Sequence, residues 1–239
     1  MDFNQIYTYL SDHKDVAIPI LFAVIFITVA FAAYYFSSKQ KVKRILSKLP
    51  EKRISSLKTN EFSRITGKAL HVKEPLIAPF SKRKCVFYVL KIEQEKGGKN
   101  KSWETLAKDE KVQEFFIEKN TDFVIVRPTQ NPKNYLSHLV VDKNINSGTF
   151  NNPTKEFNQL LKKYNIESTG LFNLNKTLKC TEAIIEIGEQ ITVAGIAKFK
   201  SLKEPIEGYN YSKIAELESS KTQKLIITDL PNIKSKKRL

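Results

Sequence analysis

The sequence is short of metal ligands. It holds two cysteines and three histidines, whereas a RING, zinc ribbon or zinc finger needs four ligands at close spacings such as Cys-x2-Cys. Cys85 and Cys180 lie far apart, His13 precedes an apolar run, and His71 and His138 are isolated. No structural zinc is expected, and no cofactor. Glycine is scarce too, at eight residues, and none stands in a Walker-type loop, a G-x-G-x-x-G or a G-x-S-x-G element. H-E-x-x-H is also missing. The sequence therefore points to no catalytic residue and no enzyme. Internal repeats and low-complexity runs are absent. With 27% charged and 41% hydrophobic residues, the 239-residue composition is that of a folded chain, long enough for one ordinary domain or two small ones.

One segment stands out by what it contains. Residues 17 to 36, AIPILFAVIFITVAFAAYYF, carry no charge. At ~1.5 Å per residue, such a helix crosses a hydrocarbon core about 30 Å thick. Pro19 falls in the first turn, where its missing N–H does little harm. Tyr34 and Tyr35 fall at the far end, where interfacial aromatic belts lie. Ahead of the segment, Lys14 is set against Asp2, Asp12 and Asp15; after it come Lys39, Lys41, Lys43, Arg44, Lys48, Lys52 and Arg53. The positive-inside rule places residues 1–16 outside and the remainder in the cytoplasm, as a single-pass membrane protein. The rival reading is a cleaved signal peptide, for which Ala30-Phe31-Ala32 supplies an A-x-A site. The acidic start and an apolar run reaching Phe36 count against it. Cytoplasmic thiols stay reduced, so no disulfide is expected.

The formal net charge is +15, and its location decides what it means. Residues 39–58 carry eight Lys/Arg and one Glu, and the tail segment KSKKR four more Lys/Arg; residues 59–233 hold 27 Lys/Arg against 21 Asp/Glu. Most of the excess lies beside the membrane and at the tail, and each Lys or Arg near anionic headgroups contributes about 1 kcal/mol. Anionic lipid is thus an expected partner of the seven basic residues from Lys39 to Arg53, and nucleic acid is disfavoured. Ile45, Leu46 and Leu49 punctuate the cluster at helical spacing, so residues 37–60 read as a basic linker or a helix lying partly along the bilayer. The alternative is a solvated basic linker that only fixes topology.

From residue 61 to 232 the chain reads as short strands separated by turn signals. FSRITGKALHV gives a first strand, interrupted at Gly67. CVFYVLKIEQ is apolar on both faces and reads as a central strand, with Val86, Tyr88, Leu90 and Ile92 on one face and Cys85, Phe87, Val89 and Lys91 on the other. KSWETLAKD returns antiparallel after the EKGGKNK loop. EFFIEKNTDFVIVRP is a hairpin about Asn120-Thr121, and LSHLVVD a further strand. TKEFNQLLKKYNI is a helix, with Phe157, Leu160, Leu161 and Tyr164 on one face and Thr154 as N-cap. TLKCTEAIIEIGEQITVAGIAKFK reads as strand, tight turn at Gly188, strand, and KLIITDLPN as a closing strand. The expectation is a mainly β (α+β) body, a partly closed barrel with one appended helix, behind the N-terminal transmembrane helix.

The order of these pieces resembles the GIDE, or "beside a membrane", domain of membrane-anchored mitochondrial ubiquitin ligases of the MULAN/MAPL type and of bacterial membrane proteins. TGKALHVKEPLIAPFSKRKCVFYVLKI is similar to the family's Gly, Leu-x-Ser-Pro and Cys-Val-x-Tyr pattern, with Ala78 in place of the usual Ser. EFFIEKNTDFVIVRP is similar to its hairpin, CTEAIIEIGEQITVAGIAKF to its Glu-x-x-Leu-x-x-Gly-x-x-Val-x-Val-x-Gly stretch, and LIITDLPN to its terminal strand. The likeness covers about residues 62–232. The ligases add a second transmembrane helix and a RING, and neither is found in this sequence. The resemblance therefore implies a domain architecture and a place beside a membrane, a bacterial inner membrane, rather than ligase activity. Glu182 falls on the family's Glu, for which a structural role on backbone groups is expected.

Cys85 opens an apolar strand, where a free thiol behaves as a small buried hydrophobe. Lys82, Arg83 and Lys84 lower a nearby thiol pKa in principle, but no His or acid neighbours it to complete a nucleophile. Core packing is expected for Cys85 and for Cys180. The segment Pro75, Leu76, Ile77, Pro79, running into Lys82, Arg83 and Lys84, is an apolar turn bracketed by prolines. It is the candidate partner-docking loop, unless it serves only to plug one end of a barrel. The expected function is a membrane-anchored adaptor whose β-domain binds a protein beside the membrane. The alternatives are a tethered nucleic-acid-binding barrel and a RING-less ligase relative with an enzymatic role.

Overall fold

The computed structural model describes residues 14–97, 101–148, 151–170, 174–201, 213–231 and 233. The first 13 residues, most of the short N-terminal segment, and residues 234–239 of the basic tail lie outside them. Helix α1 (Lys14–Phe36) contains Ile18–Phe36, which is long and apolar enough to cross a membrane; its mean hydropathy is 2.3 and no part of it is buried in the protein. Ser37 alone breaks the helix, with an extended backbone, before α2 (Ser38–Ser47), and its hydroxyl caps α2 by accepting from the Gln40 N–H at 3.4 Å.

The expected linker is part of the folded body. In α2, Val42 and Leu46 are fully buried and pack with Ala194, Ile226 and Leu230, joined by Ile45 and Leu49. Of these, Ile45, Leu46 and Leu49 are the side chains the sequence reading spaced along a helix lying partly on the bilayer. The helix spends its apolar stripe on protein and turns Lys39, Lys41 and Lys43 outward. A short 3-10 turn, Ile54–Ser56, then sinks Ile54 and Leu57 into the main core.

That core fills a closed five-stranded barrel. Its strands are β1 (Phe62–His71), β5 (Phe115–Lys119), β6 (Asp122–Val126), β10 (Gln190–Ser201) and β11 (Lys213–Glu218). The order around the barrel is β1-β5-β6-β11-β10 and back to β1. All neighbours are antiparallel except β6 and β11, which run parallel. Numbering only these five strands gives 1-2-3-5-4-1, the connectivity of OB-type Greek-key barrels. The closing seam pairs β1 with β10, Phe62 opposite Ile196 through Lys68 opposite Gln190. β12 (Leu225–Thr228), expected to close the sheet, instead runs beside β11 along β10 and carries β7 (Tyr135–His138) on its other edge.

Strand β1 runs through Gly67 without interruption. There it passes so close to β5 that an added Cβ would lie 2.4 Å from the Glu118 carbonyl oxygen, so glycine permits the crossing at the barrel corner. In the β5–β6 hairpin, Asn120 and Thr121 both adopt positive φ, 53° and 67°, the geometry of a type I′ turn that matches strand twist.

A second sheet grows out of the barrel's two long excursions. It orders β2 (Leu76–Ile77), β3 (Lys84–Lys96), β9 (Leu178–Glu186) and β8 (Lys143–Ser147), with β4 (Ser102–Val112) on the other side of β3. β3 is central, as its two apolar faces require. One face meets the barrel core through Phe87 and Ile185, with the Phe87 ring edge-on to Tyr135 at 5.6 Å. The other is covered by α3 (Lys155–Lys163), whose Phe157, Leu160 and Leu161 pack on Leu90, Ile92, Leu178 and Cys180. Thr154 caps α3, accepting from the Phe157 N–H at 3.3 Å.

Two readings of this region change. The Gly188 turn does not make a hairpin, because β9 belongs to the second sheet and β10 to the barrel. A register break between Cys85 and Phe87 reverses the facing of Cys85, which packs with Tyr88 and Ile184 rather than with Phe87 and Val89.

Candidate functional site

The candidate docking loop is held by hydrogen bonds at several points. Leu76 and Ile77 pair with Cys85 and Lys84 as a two-residue strand. The Ala78 N–H donates to the Arg83 carbonyl at 2.9 Å, and the Lys82 N–H to the Ala78 carbonyl at 3.1 Å. Lys82, with φ 61°, turns the chain and donates its ammonium to the Pro79 carbonyl at 2.7 Å. From below, the fully buried Glu182 carboxylate accepts from the Phe80 N–H at 2.7 Å and the Ser81 N–H at 2.8 Å. The Lys143 ammonium lies 4.1 Å from the centre of the Phe80 ring.

Of the seven candidate residues here, Ile77, Lys82 and Lys84 are exposed and Pro75, Leu76 and Arg83 half-buried. Pro79 is buried and contributes to the frame rather than to a surface. Arg83 is held by Asp142 at 3.2 Å and Glu186 at 3.1 Å. Burial lowers its affinity for the proton, but the hydrogen bonds and charges of those two carboxylates outweigh it and raise its pKa. Cys85 is fully buried beside this loop, and desolvation pushes its thiol up to about 12. Cys180, buried under α3, is likewise pushed up to about 12. Neither is a thiolate at neutral pH, so both answer as core residues.

Arg83 connects this loop to the segment that leads back toward α2. Its partner Asp142 closes the segment 139–142, which the sequence reading had as strand and which forms none; there Val140 and Val141 are exposed. The segment is anchored where the Val140 N–H donates to Asp229 at 2.8 and 3.0 Å and the Asp142 N–H to the Glu182 carbonyl at 2.9 Å. His138, just before it, is close enough to Lys39 and Lys43 of α2 that their charge adds to burial in lowering its pKa. One surface therefore runs from the start of α2 through residues 138–142 to the loop at 75–84.

The basic residues expected at the membrane surface divide in two. Lys39, Lys41, Lys43, Lys48 and Arg53 are exposed. Arg44 turns back on α1, donating to the Tyr35 carbonyl at 2.5 Å with its guanidinium 3.9 Å from the centre of that ring, and Lys52 pairs with Glu61. Tyr34 and Tyr35 are exposed at the end of α1.

The structure adds a cleft that sequence reasoning missed. It holds about 330 Å³ between β7 and the face of the second sheet, with Ser38 in its lining. Across that face Glu110, Val89 and Ala183 form one row and Lys108, Lys91 and Thr181 the next. Lys133 and Ser137 stand on the opposite wall, with His138, Leu139 and Val141 beside them. Glu110 accepts from Lys133 at 2.6 Å and from the Tyr135 hydroxyl at 2.7 Å. Burial would raise its pKa, but these bonds and the charges of Lys133 and Lys108 lower it, so it is ionised at neutral pH. The available signal was Lys91, a charge continuing the otherwise apolar face of β3. Its partners across the sheet could not be read without the register.

No family model, curated protein or solved structure matches the chain. Among the described residues no group of three or more His, Cys, Asp or Glu side chains is placed to hold a metal ion.

Proposed function

We propose that this protein is a membrane-anchored cytoplasmic adaptor, without catalytic activity of its own, whose β-rich domain presents the loop at 75–84 to a protein partner beside the membrane. One observation carries the reading: α1, exposed along its apolar length, is joined through Ser37 alone to a helix packed on the body. Such a joint holds the body against the bilayer instead of letting it swing on a linker. A loop braced by Glu182, Arg83 and Lys82, with Ile77 51% exposed, loses little conformational entropy on binding and suits docking. The GIDE-like motifs support the same reading through their residues alone. The positive-inside bias supports an external N-terminus and a cytoplasmic body, and the proposed setting is a bacterial inner membrane.

The test is crosslinked capture from membranes, read by mass spectrometry, comparing the full chain with a chain carrying Ile77→Lys and Lys84→Glu. The two exposed positions face each other across β2 and β3, and the opposite charges placed there attract, so the strand pairing is kept. A partner captured by the first and lost by the second supports the proposal. Equal capture by both, or capture by the anchor helix alone, removes the loop from the reading.

A second reading, a tethered nucleic-acid-binding barrel, is favoured by the OB-type connectivity. The charge pattern weighs against it. On β10, β11 and the end of β6, Arg127, Lys198 and Lys200 are paired with Glu114, Glu216 and Glu218, which leaves little net charge for phosphates. A salt-dependent gel shift with the detergent-solubilised chain tests it; no shift at low salt ends that alternative.

A further inference from the structure

The cleft beside Ser38 lies at a depth that the anchor helix sets. Ile18–Phe36 comprises 19 residues, roughly 28 Å of helix and close to the thickness of a hydrocarbon core. The headgroup layer extends about 5 to 7 Å further on each side. Ser38 follows Phe36 by two residues, at most about 7 Å of chain. The part of the cleft lined by Ser38 therefore lies at headgroup level.

The lining chemistry selects an anion. Lys91, Lys108 and Lys133 face one carboxylate, Glu110. Glu110 is already engaged by Lys133 and Tyr135, with Lys108 at 3.5 Å, so it has little left for a cation. Lys91 pairs with Glu93 at 2.5 Å. An ammonium has three donors, and one such contact leaves two on each lysine for an incoming oxyanion. The hydroxyls of Ser38, Ser137 and Thr181 line the same space, and Lys39 and Lys43 add positive potential at its His138 end.

The rim selects an amphiphile. Val141 lines the cleft and is 52% exposed, with Val140 next to it 43% exposed. Apolar side chains beside a cationic recess at this depth match a molecule with a phosphate at one end and a hydrocarbon at the other.

We propose that this cleft binds the phosphate of an anionic phospholipid headgroup, so that the β-domain itself, and not only the exposed lysines of α2, engages the bilayer surface. The inference rests on the anchored reading of α1. Binding would fix the rotation of the body about α1 and so direct the 75–84 loop along the membrane.

The experiment uses the full chain in nanodiscs of phosphatidylcholine with and without phosphatidylglycerol, with inorganic phosphate as a third arm. Hydrogen exchange at residues 135–142 is the readout, and native mass spectrometry counts retained lipid. Phosphatidylglycerol is expected to slow exchange there and to be retained. Lys91→Gln with Lys108→Gln, both exposed enough to leave the fold intact, is expected to weaken retention roughly 30-fold, the surface contribution of two lysines. Lys41→Gln with Lys48→Gln, exposed residues of the α2 region that do not line the cleft, should leave protection of 135–142 in place. Protection that survives the Lys91/Lys108 change overturns the proposal, as does equal protection in phosphatidylcholine alone. Equal protection by inorganic phosphate overturns lipid as the source of the phosphate. A chain that fails to enter nanodiscs refutes the anchor; one that enters without headgroup-dependent protection refutes only the cleft.

Discussion

Glu182 shows how one side chain can shape a surface it never reaches. Its carboxylate is fully buried and holds two backbone N–H groups of the 79–82 turn. Charge-assisted bonds of this kind contribute about 1.5 to 3 kcal/mol each, and removal leaves buried donors unmet. Glu182→Ala is expected to destabilise the chain by about 3 kcal/mol and to raise proteolysis at Phe80–Arg83. Glu182→Gln, which keeps an acceptor, should lose about half as much, as measured by denaturant titration in detergent. Equal loss in the two variants would mean that packing, not the paired acceptor oxygens, holds the turn.

Asp229 works the other way. Burial above all, with the charges of Glu189 and Asp142 adding to it, raises its carboxyl from 3.8 to about 7 despite the bonds it receives. Between those values the folded state binds more protons than the unfolded one, so this group's contribution to stability falls as pH rises from about 4 to about 7 and is level above that. Asp229→Asn should flatten that slope relative to the parent protein in urea titrations across the range. Parallel slopes in the two proteins would refute the assignment.

At the scale of elements, the glycines of the barrel separate by what stands over them. An added Cβ at Gly67 would meet backbone, the Glu118 carbonyl oxygen at 2.4 Å, whereas at Gly195 its closest neighbour, at 2.7 Å, is the movable tip of Leu225. Gly67→Ala is expected to destabilise the chain by roughly 3 kcal/mol and Gly195→Ala by roughly 1, compared by thermal melts. The reverse order would indicate that the β1–β5 corner can open.

The same strands show what the sequence made legible. Alternation and turn chemistry marked the hairpin at Asn120-Thr121, the α3 face and the central β3, because each is encoded locally. Partnership was not legible. Nothing near Gly188 announces that its two flanking strands part into different sheets, and the bulge that turns Cys85 around depends on β9, about a hundred residues away. The α2 stripe was visible, but Val42 and Leu46 would suit a lipid surface as well as a protein one. The 75–84 loop was found from its prolines, whereas the cleft lysines come from β3, β4 and the turn ahead of β7 and share no motif.

At the scale of the whole molecule, α1 runs into the body with Ser37 as the one break between the two helices. With the N-terminus outside, protease added to inverted membrane vesicles should cleave exposed sites such as Lys48 and Arg53, while intact spheroplasts should protect them; the opposite pattern would reverse the orientation. The barrel seam carries a further consequence, one of timing. Phe62 must wait for Ile196, about 130 residues of synthesis, on the order of ten seconds at ordinary ribosome speeds. By then α1 has long since left the exit tunnel. On the proposed anchoring, the protein meets the bilayer as a tethered, open chain and closes its barrel against a surface already in place, with the lysines of α2 among the first parts of the body to arrive.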